Sequence, residues 1–145
     1  MLNLDLPINE DKNYNEIKII HIEPTIKINL RSKKREFSTK IGRTLSILPP
    51  TEANTSSGNA NFSLLWLGPD EWLLYSNNKN LTLEDQIKLE KNLFGDVSKL
   101  NQGAVTNVSD HWVLLNLKGN KIYDLLTKSC PFNFSDFMKK KGSVT

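Results

Sequence analysis

The sequence has very few of the residues that build metal and thiol sites. Its 145 residues include one cysteine, Cys130, and two histidines, His21 and His111. A single cysteine excludes an intrachain disulfide and a cysteine-based metal cluster on this chain. Neither histidine has a second ligand at metal-motif spacing, and neither is placed by local sequence to activate the thiol. We therefore interpret Cys130, just before Pro131, as a packed side chain and predict no metal ligands.

Long apolar runs and glycine-rich phosphate loops are also missing. No apolar stretch approaches the roughly 20 residues of a membrane span. The N-terminus "MLNLDLPINEDKN" lacks the basic start and apolar core of a secretion signal. No GxGxxG motif follows a strand, so no dinucleotide site of that type is expected. These features predict a cytoplasmic protein without a membrane partner and without cofactor-binding residues.

The net positive charge comes entirely from one stretch, "RSKKREFSTKIGR", residues 31–43. Its net charge is +5, whereas that of the whole chain is +3. Such a patch contacts phosphates or an acidic partner in some proteins. No RNP-type aromatic pattern, zinc finger or phosphate loop accompanies it, which favours a solvated helix face. A small basic nucleic-acid-binding module therefore stays an alternative, and we predict no nucleic-acid partner.

Hydrophobic patterning predicts an α+β fold. Two β-branched stretches, residues 16–23 and 25–30, predict strands. Phe37 and Ile41 stand at helical spacing and predict a short helix that ends at Gly42. A polar loop, a hairpin, a helix and a strand follow. From the second strand onward this order is the ferredoxin-like βαββαβ unit.

The clearest predicted helix covers residues 82–95. Thr82 is its expected cap, with Asp85 at the third helical position, and Gly95 is its expected end. One helix face is predicted to carry Leu83, Ile87 and Phe94.

Residues 103–110 predict the strand that completes the ferredoxin-like unit. A second unit begins at His111, with a predicted strand over 111–117 and a predicted helix over 120–130, and it is incomplete. An unfinished unit exposes apolar edges that a partner is expected to cover. We predict a flexible lead-in over 1–14 and one domain over 15–145.

The stretch "LLWLGPDEWLLYS", residues 64–76, predicts a hairpin with Pro69 and Asp70 at its tip. Pairing outward from that tip places Trp66 and Trp72 on opposite faces of the sheet. Both faces then need a cover, so one of the two tryptophans is expected to pack under a helix of this chain and the other against the second half-unit or a partner subunit. Trp66, Trp72 and Trp112 are the candidate partner-interface residues.

The acidic pair in this turn, Asp70 and Glu71, is interpreted as structural. A catalytic carboxylate pair needs burial or like-charge crowding to shift one pKa, and a turn tip supplies neither. We therefore predict no catalytic residue on this chain.

The hairpin, together with residues 105–145 ("VTNVSDHWVLLNLKGNKIYDLLTKSCPFNFSDFMKKKGSVT"), resembles the gamma subunit of heterotetrameric sarcosine oxidase. That family is related to the folate-binding aminomethyltransferase fold. The resemblance runs from about Thr25 to the last residue, and "IGRTLSILPP" matches a helix end and a Pro-rich loop of the family. Family members continue for a few strands beyond the position of Thr145, so the chain is expected to be truncated at its C-terminus relative to them.

The resemblance implies a structural subunit of an oxidoreductase complex. That complex oxidatively demethylates sarcosine to glycine and passes the one-carbon unit to tetrahydrofolate. The alpha, beta and delta subunits would be the partners, and they would hold NAD, tetrahydrofolate, FAD, FMN and zinc, with no cofactor on this chain.

A stand-alone folate-binding aminomethyltransferase-like protein stays an alternative. It requires a buried carboxylate to hold the pterin, for which Asp110 is the candidate.

Overall fold

A computed structural model describes residues 11–22, 25–101, 103–135 and 142–144. These residues form two compact units; the first contains β1, β2, β8 and α3, and the second contains the other elements. The elements in chain order are β1 (Lys12–Tyr14), β2 (Ile17–Ile22), β3 (Lys27–Arg31), α1 (Arg35–Leu45), β4 (Ser56–Gly58), β5 (Phe62–Gly68), β6 (Glu71–Ser76), α2 (Leu83–Ser98), β7 (Ala104–Asn107), β8 (Leu114–Lys118) and α3 (Ile122–Thr127).

The second of these compact units has the ferredoxin-like α+β fold that the sequence predicts from residue 25 onward. Its antiparallel sheet has the strand order β4-β5-β6-β3-β7. Without the short added strand β4, the elements run β3, α1, β5, β6, α2, β7, which is the βαββαβ order. The stretch 49–61, expected to be a loop, contains this extra strand.

The core of this unit lies between the sheet and the two helices. Both helices pack on one sheet face, because the buried cluster combines alternate strand residues with one side of each helix. Its members are Ile26, Ile28, Leu30, Phe37, Ile41, Leu45, Ile47, Leu64, Trp72, Leu74, Leu93 and Val97.

The hairpin has the predicted tip but a different register. Gly68 lies opposite Glu71, yet Trp66 lies opposite Trp72, because a register shift between Trp66 and Gly68 leaves Leu67 unpaired. Directly opposite residues share a sheet face. The prediction that the two tryptophans lie on opposite faces is therefore wrong, and the extra residue of the bulge is the reason.

Both helices continue past the glycines that were expected to end them. Helix α1 continues beyond Gly42 to Leu45, and Ser46 ends it with a φ of 55°. A Cβ at Gly42 would lie 3.2 Å from the carbonyl oxygen of Ile47, so this glycine permits a close backbone approach. Helix α2 likewise passes Gly95 and ends at Ser98.

The first unit contains a three-stranded antiparallel sheet in the order β1-β2-β8. Strand β8 was expected to begin an unfinished unit, but it pairs along its length with β2 near the N-terminus. Gly119 follows β8 with a φ of 126°, and a Cβ there would lie 2.0 Å from the carbonyl oxygen of Glu16. The close turn at this position therefore requires glycine.

Strands β7 and β8 are shorter than predicted. Strand β7 covers only part of 103–110, and β8 begins at Leu114 rather than at residue 111. Residues 12–14 form β1, while residues 1–10 of the predicted lead-in lie outside the described residues. A flexible lead-in and a single domain over 15–145 stay predictions.

Candidate partner-binding surfaces

Trp72 lies in the core of the ferredoxin-like unit. Only 5% of its surface is exposed, and its ring stacks on Phe37 with centroids 6.1 Å apart. Its indole Nε1 donates a hydrogen bond of 2.8 Å to the carbonyl oxygen of Pro50. Helix α1 and the loop after it therefore cover the strand face that carries Trp72.

The other two predicted interface tryptophans are more accessible. Trp66 is half-buried beside Trp72, and Trp112 in the first unit is 43% exposed. Trp112 is followed by the exposed Val113 and, two positions later, by the exposed Leu115 on β8. This segment is an apolar patch on the surface of the first unit.

The turn carboxylates both contact β3. Asn29 Nδ2 donates to Glu71 Oε1 at 2.8 Å, and Arg31 Nε lies 4.0 Å from Asp70 Oδ2. The backbone N–H of Ser32 also donates to the carbonyl oxygen of Asp70 at 2.9 Å. These contacts connect the hairpin tip to the end of the neighbouring strand.

The remaining candidate polar residues are dispersed. Asp110 and His111 are exposed in a turn, so Asp110 does not provide the buried carboxylate that the folate-binding alternative requires. His21 is half-buried on β2 opposite Leu115. Cys130 is half-buried just after α3, and its backbone N–H donates to the carbonyl oxygen of Leu126. Within the described residues, no group of three or more His, Cys, Asp or Glu side chains is arranged to hold a metal ion.

The basic stretch 31–43 lies mainly on α1 and the turn before it. Its cations are exposed except Lys40, which is half-buried. Lys40 Nζ donates to the carbonyl oxygen of Asp96 on α2 at 3.5 Å, and the Thr44 hydroxyl, just beyond the stretch, donates to the Asp96 carboxylate. Lys40 of this stretch therefore connects α1 to α2.

Helix α2 begins with the predicted cap. The Thr82 hydroxyl accepts the N–H of Asp85, and the Asp85 carboxylate accepts the N–H of Thr82. Hydrogen bonds from the Thr82 hydroxyl and backbone lower the pKa of Asp85. This reciprocal capping fixes the start of the helix.

Sequence patterning predicted the apolar outer row of α2 but not its exposure. Leu83, Ile87 and Phe94 share a face as predicted, but they are 72%, 44% and 59% exposed, while Leu93 and Val97 contact the core. The row is visible in the sequence as spacings of four and seven residues. The sequence does not reveal that this row is exposed, because α2 has two apolar rows and either one could pack against the sheet.

Comparison with known families identifies the chain. The model of the "Sarcosine oxidase, gamma subunit family" matches residues 34–143, which include the hairpin, α2 and the segment through α3. The chain belongs to the sarcosine oxidase gamma subunit family. The resemblance noted in the hairpin and in the C-terminal segment is thereby confirmed. A comparison with curated proteins gave no match.

A solved structure similar to this gamma-family chain is the heterotetrameric sarcosine oxidase from Corynebacterium sp. U-96 in complex with pyrrole 2-carboxylate. The TM-score is 0.69 at 23% sequence identity, and the match covers 81% of this chain and 57% of that chain. The chain thus spans somewhat more than half the length of the chain it matches. This likeness supports the fold. In the described residues, no helix is long and apolar enough to cross a membrane.

Proposed function

We propose that this chain is a non-catalytic structural subunit of a heterotetrameric sarcosine oxidase. The complex would demethylate sarcosine oxidatively to glycine and transfer the one-carbon unit to tetrahydrofolate. Membership of the gamma subunit family over residues 34–143 carries the proposal. The cytoplasmic location predicted from the sequence belongs to the same proposal.

The contacts and exposure of the candidate carboxylates support a non-catalytic role. Asp70 and Glu71 each contact β3, and Asp110 is exposed. A catalytic carboxylate pair instead needs burial or like-charge crowding to shift one pKa. The hydrogen bonds and ion pairs of these carboxylates serve the hairpin.

Exposed apolar side chains support a role in assembly. Each unit carries large apolar residues that are at least two-fifths exposed, including Trp112 and Val113 in the first and Leu83 and Phe94 in the second. Apolar side chains that share an exposed helix face, as Leu83 and Phe94 do on α2, are typical of interaction sites. The alpha, beta and delta subunits are the proposed partners, and the proposed sites of NAD, tetrahydrofolate, FAD, FMN and zinc lie on them.

Co-expression tests this proposal. The chain alone is expected to self-associate or precipitate, whereas co-expression with the alpha, beta and delta subunits should yield one discrete complex that contains it. Sedimentation velocity measures both states. A monodisperse monomer that does not join the other subunits would contradict the proposal.

A further inference from the structure

Among the residues that the structure describes, strand β7 lies at the edge of its sheet. The N–H of Val108 donates to the carbonyl oxygen of Lys27 at 2.9 Å, and Thr106 lies opposite Asn29. Antiparallel ladders alternate between hydrogen-bonded and non-hydrogen-bonded pairs. The N–H and C=O groups of Val105 and Asn107 therefore point away from β3. Among the described residues, no strand pairs with that side of β7.

The apolar outer row of α2 (Leu83, Ile87 and Phe94) lies beside this edge. Glu90 Oε2 accepts a hydrogen bond of 2.9 Å from Asn107 Nδ2, so this side of α2 faces β7. Ile87 and Phe94 are three positions before and four positions after Glu90, which makes them its neighbours on the helix surface. The side of α2 near Asp96 contacts α1 instead.

The backbone edge of β7 and the apolar outer row of α2 together determine which kind of segment can bind. Outward backbone groups on a strand edge are satisfied by another strand, and side chains of an added strand alternate between the two sheet faces. Those on the helix-bearing face would meet the outer row of α2. The matching occupant is an extended segment with apolar residues at alternate positions.

We propose that the free edge of β7 and the outer row of α2 form one docking surface for an extended segment of another oxidase subunit. The segment adds to β7 as a further strand and packs its apolar side chains on Leu83, Ile87 and Phe94. This inference rests on the proposed function, because the partner is a subunit of that complex.

The size of the surface favours a larger subunit over a second copy of this chain. Stable interfaces bury roughly 800 Å² per partner, usually with about 20–30 residues on each side. This surface consists of a four-residue strand and three apolar side chains, so it fits one part of a larger interface. A segment continuous with a larger subunit adds contact area elsewhere. Two copies of this chain that pair only through β7 gain no such additional contact area.

Two substitutions test the two halves of the surface. Ile87→Glu places a charge in the apolar row, while glutamate suits a helix and has Lys91 four residues later. Leu48→Glu is the matched control, because Leu48 is 85% exposed beside β4 at the opposite edge of the sheet.

Val105→Pro tests the strand edge. It removes an N–H that the hydrogen bonds between β3 and β7 do not use, and edge strands tolerate proline at such a position. Val105→Ala is its control, since it shortens the side chain but keeps the N–H.

The assay is assembly with the alpha, beta and delta subunits, measured as affinity by titration at chain concentrations below those at which the chain self-associates. Amide hydrogen exchange of the chain is measured in the same concentration range. Ile87→Glu and Val105→Pro should each weaken assembly about tenfold or more, with both controls within about twofold of wild type. The amides of Val105 and Asn107 should become protected only in the complex.

Wild-type affinity of both test variants would overturn the docking surface and leave the proposed function standing. The same holds if both variants abolish a discrete homodimer but leave assembly unchanged, because the occupant would then be a second copy. Failure of the wild-type chain to assemble would overturn both proposals.

Discussion

Replacing Trp72 should remove a large part of the stability of the ferredoxin-like unit. The ring is 5% exposed, stacks on Phe37 and donates a hydrogen bond to the buried Pro50 carbonyl. Truncating a buried tryptophan to alanine costs about 3–5 kcal/mol. Leaving a buried carbonyl unpaired adds about 1–3 kcal/mol. Domains of this size are stable by about 5–15 kcal/mol, so a combined loss of about 4–8 kcal/mol removes a large part of the free energy of unfolding and should lower the urea midpoint of this unit sharply.

The assay is urea denaturation at low protein concentration, followed by circular dichroism. Trp72→Phe keeps an aromatic ring against Phe37 and should lose much less, mainly the hydrogen bond to Pro50. Trp66→Ala is the matched comparison and should cost less than Trp72→Ala, since Trp66 is only half-buried. The reasoning would be refuted by a loss below about 1 kcal/mol for Trp72→Ala, the range of ordinary substitutions.

Three further predictions concern local structure. Thr82→Ala should destabilise α2 by about 1 kcal/mol in thermal melts, because it removes the cap, and an unchanged melt would count against this. The lowered pKa of Asp85 means that its share of the capping is present above the unfolded value of 3.8 and is lost as pH falls through the folded value. Asp85→Asn should therefore flatten the acid side of a stability–pH curve, and an unaltered acid limb would argue against this role. Gly119→Ala should lower the melting temperature of the chain, since the new Cβ would clash with the Glu16 carbonyl at a φ of 126°; a wild-type melt would show that this turn relaxes freely.

Local signals predicted much of the ferredoxin-like unit. The Thr82 and Asp85 cap follows from neighbouring residues, as does the hairpin tip at Pro69 and Asp70. The βαββαβ order also follows, because each element has its own period of apolar residues. These features depend on contacts only a few positions apart.

The predictions that failed depend on tertiary packing. Four consecutive apolar residues, 64–67, fit either hairpin register, so nothing local indicates the bulge at Leu67. Helix α2 has two apolar rows, and packing on the sheet selects the one containing Leu93 and Val97. The pairing of β2 with β8 joins segments far apart in the sequence, which periodicity alone does not reveal.

The candidate interface was predictable only in part. Three tryptophans were the visible signal, but Trp72 proved to be a core residue, and the exposed row on α2 was expected to be an ordinary apolar helix face. The free backbone edge of β7 has no sequence signature, because it depends on the strand order of the sheet.

The central claim, a structural subunit without catalytic residues, is tested most directly by turnover per assembled complex. Asp70→Ala and Glu71→Ala are each introduced into the chain, the complex is reconstituted with the other subunits, and sarcosine oxidation is normalised to assembled material. Near-normal turnover for both variants is the predicted result, since both carboxylates contact β3 of this chain. A fall of about a hundredfold or more with assembly intact would contradict the account, because an acid–base group contributes at least that much and the turn would then reach a neighbouring active site.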